Sequence, residues 1–355
     1  MHGGDIYRNQ VDIDFSVNIN SLGIPEGVET ALLNAVRKCT CYPDIESERL
    51  RVALSDMIGV EKGQIICGNG ASELFPAVIR AIRPKKVLIP VPSFYGYEKA
   101  VSAETKEVIY YEMKEEDGFA LTEEFLSQLT ADIDVLILAN PNNPVGNRME
   151  PELLRKIADL CKEKKIHLIL DECFIEFTEN AGIHSMLHET ERYPNLIVVR
   201  AFTKIFAIPG VRLGYLVCSD SVLNEKIRQQ LPEWNLSVFA QEAGFAATKE
   251  SGFIERTVLQ TKKEREYLKE QLELLDIKVY EGTANFLMLY SRLPLKEELL
   301  KKKILIRDCS NFRGLEKGYY RVAVRTEEQN RILLHEIERI SGKKGRTIDG
   351  RTDDM

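Results

Sequence analysis

Between residues 64 and 218, seven short runs of aliphatic and β-branched side chains recur: QIIC (64–67), KVLIP (86–90), EVIYYEM (107–113), DVLILA (134–139), IHLIL (166–170), LIVVR (196–200) and LGYLVC (213–218). Several are almost unbroken apolar runs, and a strand can hide both its faces only where layers cover it on each side. Amphipathic stretches such as EPELLRKIADLCKEKK (150–165) stand between the runs and can supply those layers. Strands alternating with helices predict an α/β domain on a mostly parallel, seven-stranded sheet. Ligands of such sheets sit outside the carboxyl ends of the strands, and the unusual residues of this chain cluster just after its runs.

At 355 residues the chain exceeds the usual size of one domain. Its texture changes near residue 245, where a charged helical pattern (251–275) leads into IKVYEGTANFLMLY, ILIRDCSNF and GYYRVAVR. The expected division is an N-terminal segment (1–40) packing with a small domain, a large domain (41–245), the small α+β domain (246–341) and a disordered tail (342–355). A net charge of −7 with no basic face argues against nucleic acid. No run approaches the roughly 20 apolar residues of a membrane helix. The start MHGGDIYRNQ lacks a secretory pattern, and the seven cysteines form no CxxC pair, with Cys39 and Cys41 isolated. The expectation is a reduced, cytoplasmic enzyme without a metal.

Four features lie after the apolar runs. IICGNGASELF (65–75) is a strand, a glycine-rich turn and a helix start, where backbone N–H groups suit a phosphate; a plain strand–helix turn fits it equally well. LANPNNPVG (138–146) fixes the backbone with prolines and lets Asn143 present its amide. LILDECFIEF (168–177) ends an apolar run on Asp171 and Glu172, where a deep carboxylate needs a partner, unless Asp171 simply caps a helix. RAFTKIFAIPGVRLGY (200–215) sets Lys204 among apolar side chains, with Arg212 eight residues on. Burial makes the charged form of such a lysine costly, although a snorkelling surface lysine would read the same way. A phosphate cradle, an amide, a deep carboxylate, an amine and an arginine, in that order, are the groups a pyridoxal phosphate site needs. The lysine condenses with the aldehyde, and the carboxylate keeps the pyridine nitrogen protonated.

With those strings, the chain resembles the fold type I pyridoxal phosphate enzymes of the class I/II aminotransferase family over roughly residues 2–340. The resemblance implies that Lys204 binds the cofactor aldehyde, Asp171 faces the ring nitrogen and Asn143 bonds the ring 3-hydroxyl. It implies that Phe94 stacks on the ring and that Gly70, Ala71, Ser72, Thr203 and Arg212 hold the phosphate. Tyr42 would reach the phosphate of the neighbouring subunit, making the enzyme a homodimer with composite sites. Two positions depart from the common pattern. Phe174 stands where many relatives have a tyrosine on the 3-hydroxyl, and Ala201 where many have serine or threonine on the phosphate.

HGG (2–4), DFSVNINSLG (14–23), ILIRDCSNFRGL (304–315) and YYRVAVR (319–325) are similar to the threonine-phosphate decarboxylases of cobalamin biosynthesis, themselves similar to histidinol-phosphate aminotransferases. That likeness implies decarboxylation of L-threonine O-3-phosphate to (R)-1-aminopropan-2-yl phosphate and CO2. Arg321 would take the substrate carboxylate, and His2 and Arg307 its phosphate, with Asn20 and Arg325 as further substrate residues. For Arg325 a surface ion pair fits as well. LPEWNLSVFA is one residue longer than the usual segment, which changes the surroundings of Trp234. The alternatives are an aminotransferase using 2-oxoglutarate, for example on histidinol phosphate, or a cofactor-binding regulator without turnover.

Overall fold

The computed structural model describes residues 3–102 and 104–342; of the expected tail, all but Gly342 lies outside them. After a two-residue strand, β1 (Ile13–Asp14), and the helix Glu26–Ala35, the chain enters the region of the apolar runs. Each run becomes a strand: β2 (Ile65–Gly68), β3 (Lys86–Val91), β4 (Glu107–Glu112), β5 (Val135–Ala139), β6 (His167–Asp171), β7 (Leu196–Ala201) and β8 (Gly214–Val217). They form one seven-stranded sheet in the order β2-β8-β7-β6-β5-β3-β4. All neighbours pair in parallel except β8, which runs against both β2 and β7.

Alternation along each strand explains the unbroken apolar runs. In β5, Val135 and Ile137 join the core beneath the helices Ala71–Ile82 and Ser221–Arg228. Leu136 and Leu138 join the opposite core beneath Glu48–Ile58, Pro151–Glu163 and Val238–Ala247. Successive side chains point to opposite faces, so a strand covered twice must be apolar at every position.

The reversed strand also arranges the site. Gly214, the first residue of β8, pairs with Gly68 at the end of β2 and with Ala201 at the end of β7. Three turns therefore meet at one edge, beside the ends of β6 and β5. Two further sheets complete the fold. One is antiparallel, built from β9 (Lys278–Val279), β10 (Phe286–Tyr290), β12 (Arg307–Asp308) and β13 (Tyr319–Ala323) in the order β12-β13-β10-β9. The other is the parallel pair of β1 with β11 (Ile304–Leu305), which ties the N-terminal segment to the C-terminal part of the chain.

The end of β6 separates two carboxylates. Asp171 faces the site, while Glu172 is fully buried on the other side. There Glu172 accepts from Arg200 Nε at 3.1 Å and Nη2 at 2.8 Å, from Ser185 Oγ at 2.7 Å and from Met186 N at 2.8 Å. Removing one member of such a pair leaves a buried charge uncompensated. Glu172→Ala should lower the free energy of unfolding by about 3–5 kcal/mol. Urea denaturation followed by far-UV circular dichroism measures it, and a loss below about 1 kcal/mol would contradict the assignment.

Candidate active site

A cavity of about 270 Å³ opens at the meeting of those turns. Lys204 lines it from the short helix Phe202–Ile205 after β7. Burial, then the guanidiniums of Arg321 and Arg212, hold its ammonium down at about 8, against a nearby thiol, Cys173, that pulls the other way. A lysine so placed carries far more free amine near neutral pH than an ordinary lysine, and that makes it a better nucleophile.

Asp171 closes the floor. Tyr97 Oη donates to its Oδ2 at 2.5 Å, and Cys173 N donates to its Oδ1 at 2.9 Å. Burial still pushes this carboxyl up, so a cationic N–H facing it would be well placed. Phe94, half-buried after β3, forms a wall with its ring 5.6 Å from that of Tyr97. Asn143 and Phe174 line the cavity from the turns after β5 and β6.

At the β2 turn the helix Ala71–Ile82 begins without a side-chain cap, so its first N–H groups remain to be satisfied. Arg212 Nη2 donates to Ser72 Oγ at 2.9 Å across this helix start. Gly70 has φ +79°, and a Cβ there would stand 2.6 Å from Arg212 Nη2, so only glycine lets the guanidinium approach. Ala71, Ser72, Thr203 and Arg212 line the cavity beside it. An uncapped helix start, a hydroxyl and an arginine make an anion cradle.

The opposite rim comes from the antiparallel sheet. Arg307 and Arg321 are direct register partners across β12 and β13, so their side chains share a face, and both line the cavity. Arg321 donates to Asn143 Oδ1 and to Ser16 O, the latter at 2.9 Å, while its Nε is buried without a hydrogen-bond partner. Burial holds Arg321 down at about 10 and lowers Arg307 as well. Like charges facing each other across two strands repel, and an anion between them relieves that repulsion.

The cavity therefore offers a nucleophilic amine, a carboxylate floor, an aromatic wall and an anion cradle, which together suit pyridoxal phosphate, and two further cations on the opposite rim. The structure brings Lys204, Asp171, Asn143, Phe94, Ala71, Ser72, Thr203, Arg212, Arg307 and Arg321 to this cavity, with Gly70 at its edge. Asn20 is not brought there. Its amide is spent on Ile205 O (2.7 Å), Thr257 Oγ1 (2.8 Å) and Leu22 N (3.0 Å), bracing the Lys204 turn from behind. Arg325 is also outside; its Nε donates to Gln329 Oε1 at 3.0 Å on the helix Glu327–Ser341, because β13 has already ended at Ala323. Tyr42 is 82% exposed and packs on Trp234 with ring centroids 5.0 Å apart, both outside the lining of this cavity. His2 lies outside the described residues.

Sequence reading missed Tyr97, Cys173 and Ser16. FYGY after β3 did signal an aromatic cluster, but which ring meets Asp171 depends on the path of the helix Gly96–Val101. Ser16 acts through its carbonyl, for which a side-chain pattern carries no signal.

Comparison with known proteins agrees with this geometry. The chain is 38% identical over 333 residues to the threonine-phosphate decarboxylase of Salmonella typhimurium, covering 92% of this chain and 91% of that protein. It is 30% identical over 337 residues to the histidinol-phosphate aminotransferase of Methanocaldococcus jannaschii, covering 92% and 89%. The crystal structure of the histidinol-phosphate aminotransferase from Clostridium acetobutylicum superposes with a TM-score of 0.87 at 32% identity, covering 93% of this chain and 99% of that one. Residues 10–337 match the family described as aminotransferase class I and II, and the chain belongs to that family of pyridoxal phosphate-dependent enzymes.

Proposed function

We propose that the enzyme decarboxylates L-threonine O-3-phosphate to (R)-1-aminopropan-2-yl phosphate and CO2, a step of cobalamin biosynthesis. The observation that carries this reading is the facing pair Arg307 and Arg321, opening on the same cavity as Lys204. Two anchored cations beside one amine-reactive group suit a small amino acid with an anion at each end. The 38% identity to a decarboxylase of that name supports it.

When bound, pyridoxal phosphate supplies an aldehyde for the substrate amine and a ring that accepts the electron pair released at Cα. Asp171 holds the proton of the ring nitrogen, Phe94 covers the ring face, and Asn143 donates to the 3-hydroxyl. Gly70, Ala71, Ser72, Thr203 and Arg212 hold the cofactor phosphate. Phe174 offers no hydroxyl, so Asn143 works there without a tyrosine beside it. Arg321 binds the substrate carboxylate and Arg307 its phosphate, which together set the rotation about the bond to Cα. With the cofactor bound, the group at Cα that Arg321 holds in place, the carboxylate, would be the one lost as CO2. Lys204 Nζ then gives Cα the proton that replaces it.

The second reading is transamination of histidinol phosphate with 2-oxoglutarate, favoured by the 0.87 TM-score of the Clostridium structure. The holoenzyme with L-threonine O-3-phosphate should release CO2 without consuming an amino acceptor. Faster consumption of 2-oxoglutarate with histidinol phosphate than release of CO2 would put the second reading in its place.

The lowered Lys204 predicts a pH dependence. Capture of the cofactor by the apoprotein needs the free amine, so its rate, followed by absorbance near 410–430 nm, should rise with pH and level off above about 8. The unfolded chain keeps this proton up to 10.5, so between about 8 and 10.5 it binds more protons than the fold, and apoprotein stability rises with pH. Lys204→Met should remove both effects. A capture rate still climbing about tenfold per pH unit beyond pH 9, as an ordinary lysine would give, would contradict the lowered amine.

The same reading makes the enzyme a homodimer in which Tyr42 acts in the neighbouring subunit's site, in keeping with its exposure on this one. Inactive Tyr42→Ala and Lys204→Ala proteins, mixed and allowed to exchange subunits, should recover up to about a quarter of wild-type activity through mixed dimers with one intact site. No recovery after verified exchange would remove the cross-subunit role.

A further inference from the structure

Arg307 does not hold its own direction. Its Nη1 donates to Asp308 O at 2.7 Å, its Nη2 donates to Asn311 Oδ1 at 2.7 Å, and its guanidinium lies 5.0 Å from the Phe312 ring centroid. Asn311 and Phe312 belong to the turn between β12 and β13, so the aim of the guanidinium follows that turn. Phe312 is buried in the cluster with Met113 and Phe119, while the Asn311 side of the turn stands over a second cavity of about 300 Å³, lined in part by Phe94, Tyr95, Glu98 and Tyr110. Arg313 bridges this cavity. Its Nη2 meets Glu98 Oε1 at 2.7 Å, and its guanidinium lies 3.9 Å from the Tyr110 ring centroid in β4. Glu98 sits one residue after Tyr97, on the helix that delivers the Asp171 partner.

We propose that Asn311 is a positioning residue that aims Arg307 at the distal anion of the substrate, and that the Arg313–Glu98 clasp over Tyr110 fixes Asn311 against the large sheet. The inference rests on the reading that Arg307 takes the substrate phosphate. Selection of a phosphomonoester over an uncharged hydroxyl then depends on residues that never touch the substrate. The pair is exposed at 47% and 41%, so by charge alone it contributes little to stability; its effect is geometric.

Steady-state CO2 release from L-threonine O-3-phosphate and from L-threonine tests this in four holoenzymes: Arg307→Ala, Asn311→Ala, Arg313→Gln and the charge-exchanged Glu98→Arg/Arg313→Glu. Loss of a hydrogen bond that orients a charged group should raise KM for the phosphorylated substrate about 10-fold in Asn311→Ala. Its kcat should change far less, and KM for L-threonine should barely move. Arg313→Gln should shift KM in the same direction by about 3-fold, and the charge exchange should recover part of that loss. Cofactor absorbance should match the wild type throughout, which separates aiming from general damage. If Arg307→Ala erases the preference for phosphate while Asn311→Ala keeps it, the positioning role is overturned and the functional reading stands. If Arg307→Ala leaves the preference intact, the reading of Arg307 itself is overturned.

Discussion

Everything in the site turns on removing one amine from water and surrounding it with cations. Lys204 lies in a cavity with Arg212, Arg307 and Arg321, and burial with two of these guanidiniums brings its ammonium to about 8. A free lysine stays charged far above neutrality and is a poor nucleophile there. The same burial and like charge that raise the energy of the protonated amine make the cavity attractive to anions. Among the described residues Asp171 is the one carboxylate lining this cavity, and it is held by Tyr97 and Cys173. Glu172, the next residue, faces away and is matched by Arg200. The period of a strand thus keeps one negative charge for the site and spends the other on the core.

The reversed strand β8 is how the fold brings these groups together. Gly214 pairs with both Gly68 and Ala201, placing the anion cradle beside the lysine turn. A Cβ at Gly214 would stand 2.8 Å from Ala71 N, so the cradle and the lysine turn approach as closely as glycine allows. From the far side, Arg321 meets Asn143 and Ser16, which joins the antiparallel sheet, the β5 turn and the N-terminal segment at one guanidinium. The substrate rim is therefore built by pieces that meet only once the chain has folded.

That difference explains what could be read from the sequence. The seven strands were legible because burial on both faces leaves an unbroken apolar run, a local property. Lys204, Asp171, Asn143 and the GNGAS turn were legible because each follows its strand directly, and strand ends are where ligands bind. The sequence and the cavity lining part where a residue's partner lies far along the chain. Asn20 reads as a polar residue in a substrate-like string, yet its amide serves Ile205 and Thr257, 185 and 237 residues away. Tyr97 reads as one aromatic among three, and only its partner Asp171, 74 residues on, singles it out. Arg325 sits in the same motif as Arg321, but four residues further, past the end of β13, its side chain answers to the last helix instead of the cavity.

The two rim arginines show why fold alone leaves the reaction open, and what narrows it. Their register fixes them on one face, so the sheet sets their separation while the turns on either side set their aim. Arg321 is gripped by the main chain of Ser16 and by Asn143, which also lines the cofactor cavity, so it shares the geometry of the reacting end. Arg307 is gripped by its own turn, which reaches the large sheet through buried Phe312 and through exposed Arg313 and Glu98. If Arg321 takes the substrate carboxylate and Arg307 its distal anion, as proposed, substitutions outside the cavity would change the distal end while leaving the cofactor residues untouched. Decarboxylation and transamination break different bonds at Cα and return a proton to different atoms, and two fixed anions would bear on the first of these choices. Under the proposed reading, selection of that bond falls to two guanidiniums, of which Arg321 is held to Asn143 and Arg307 to its own turn.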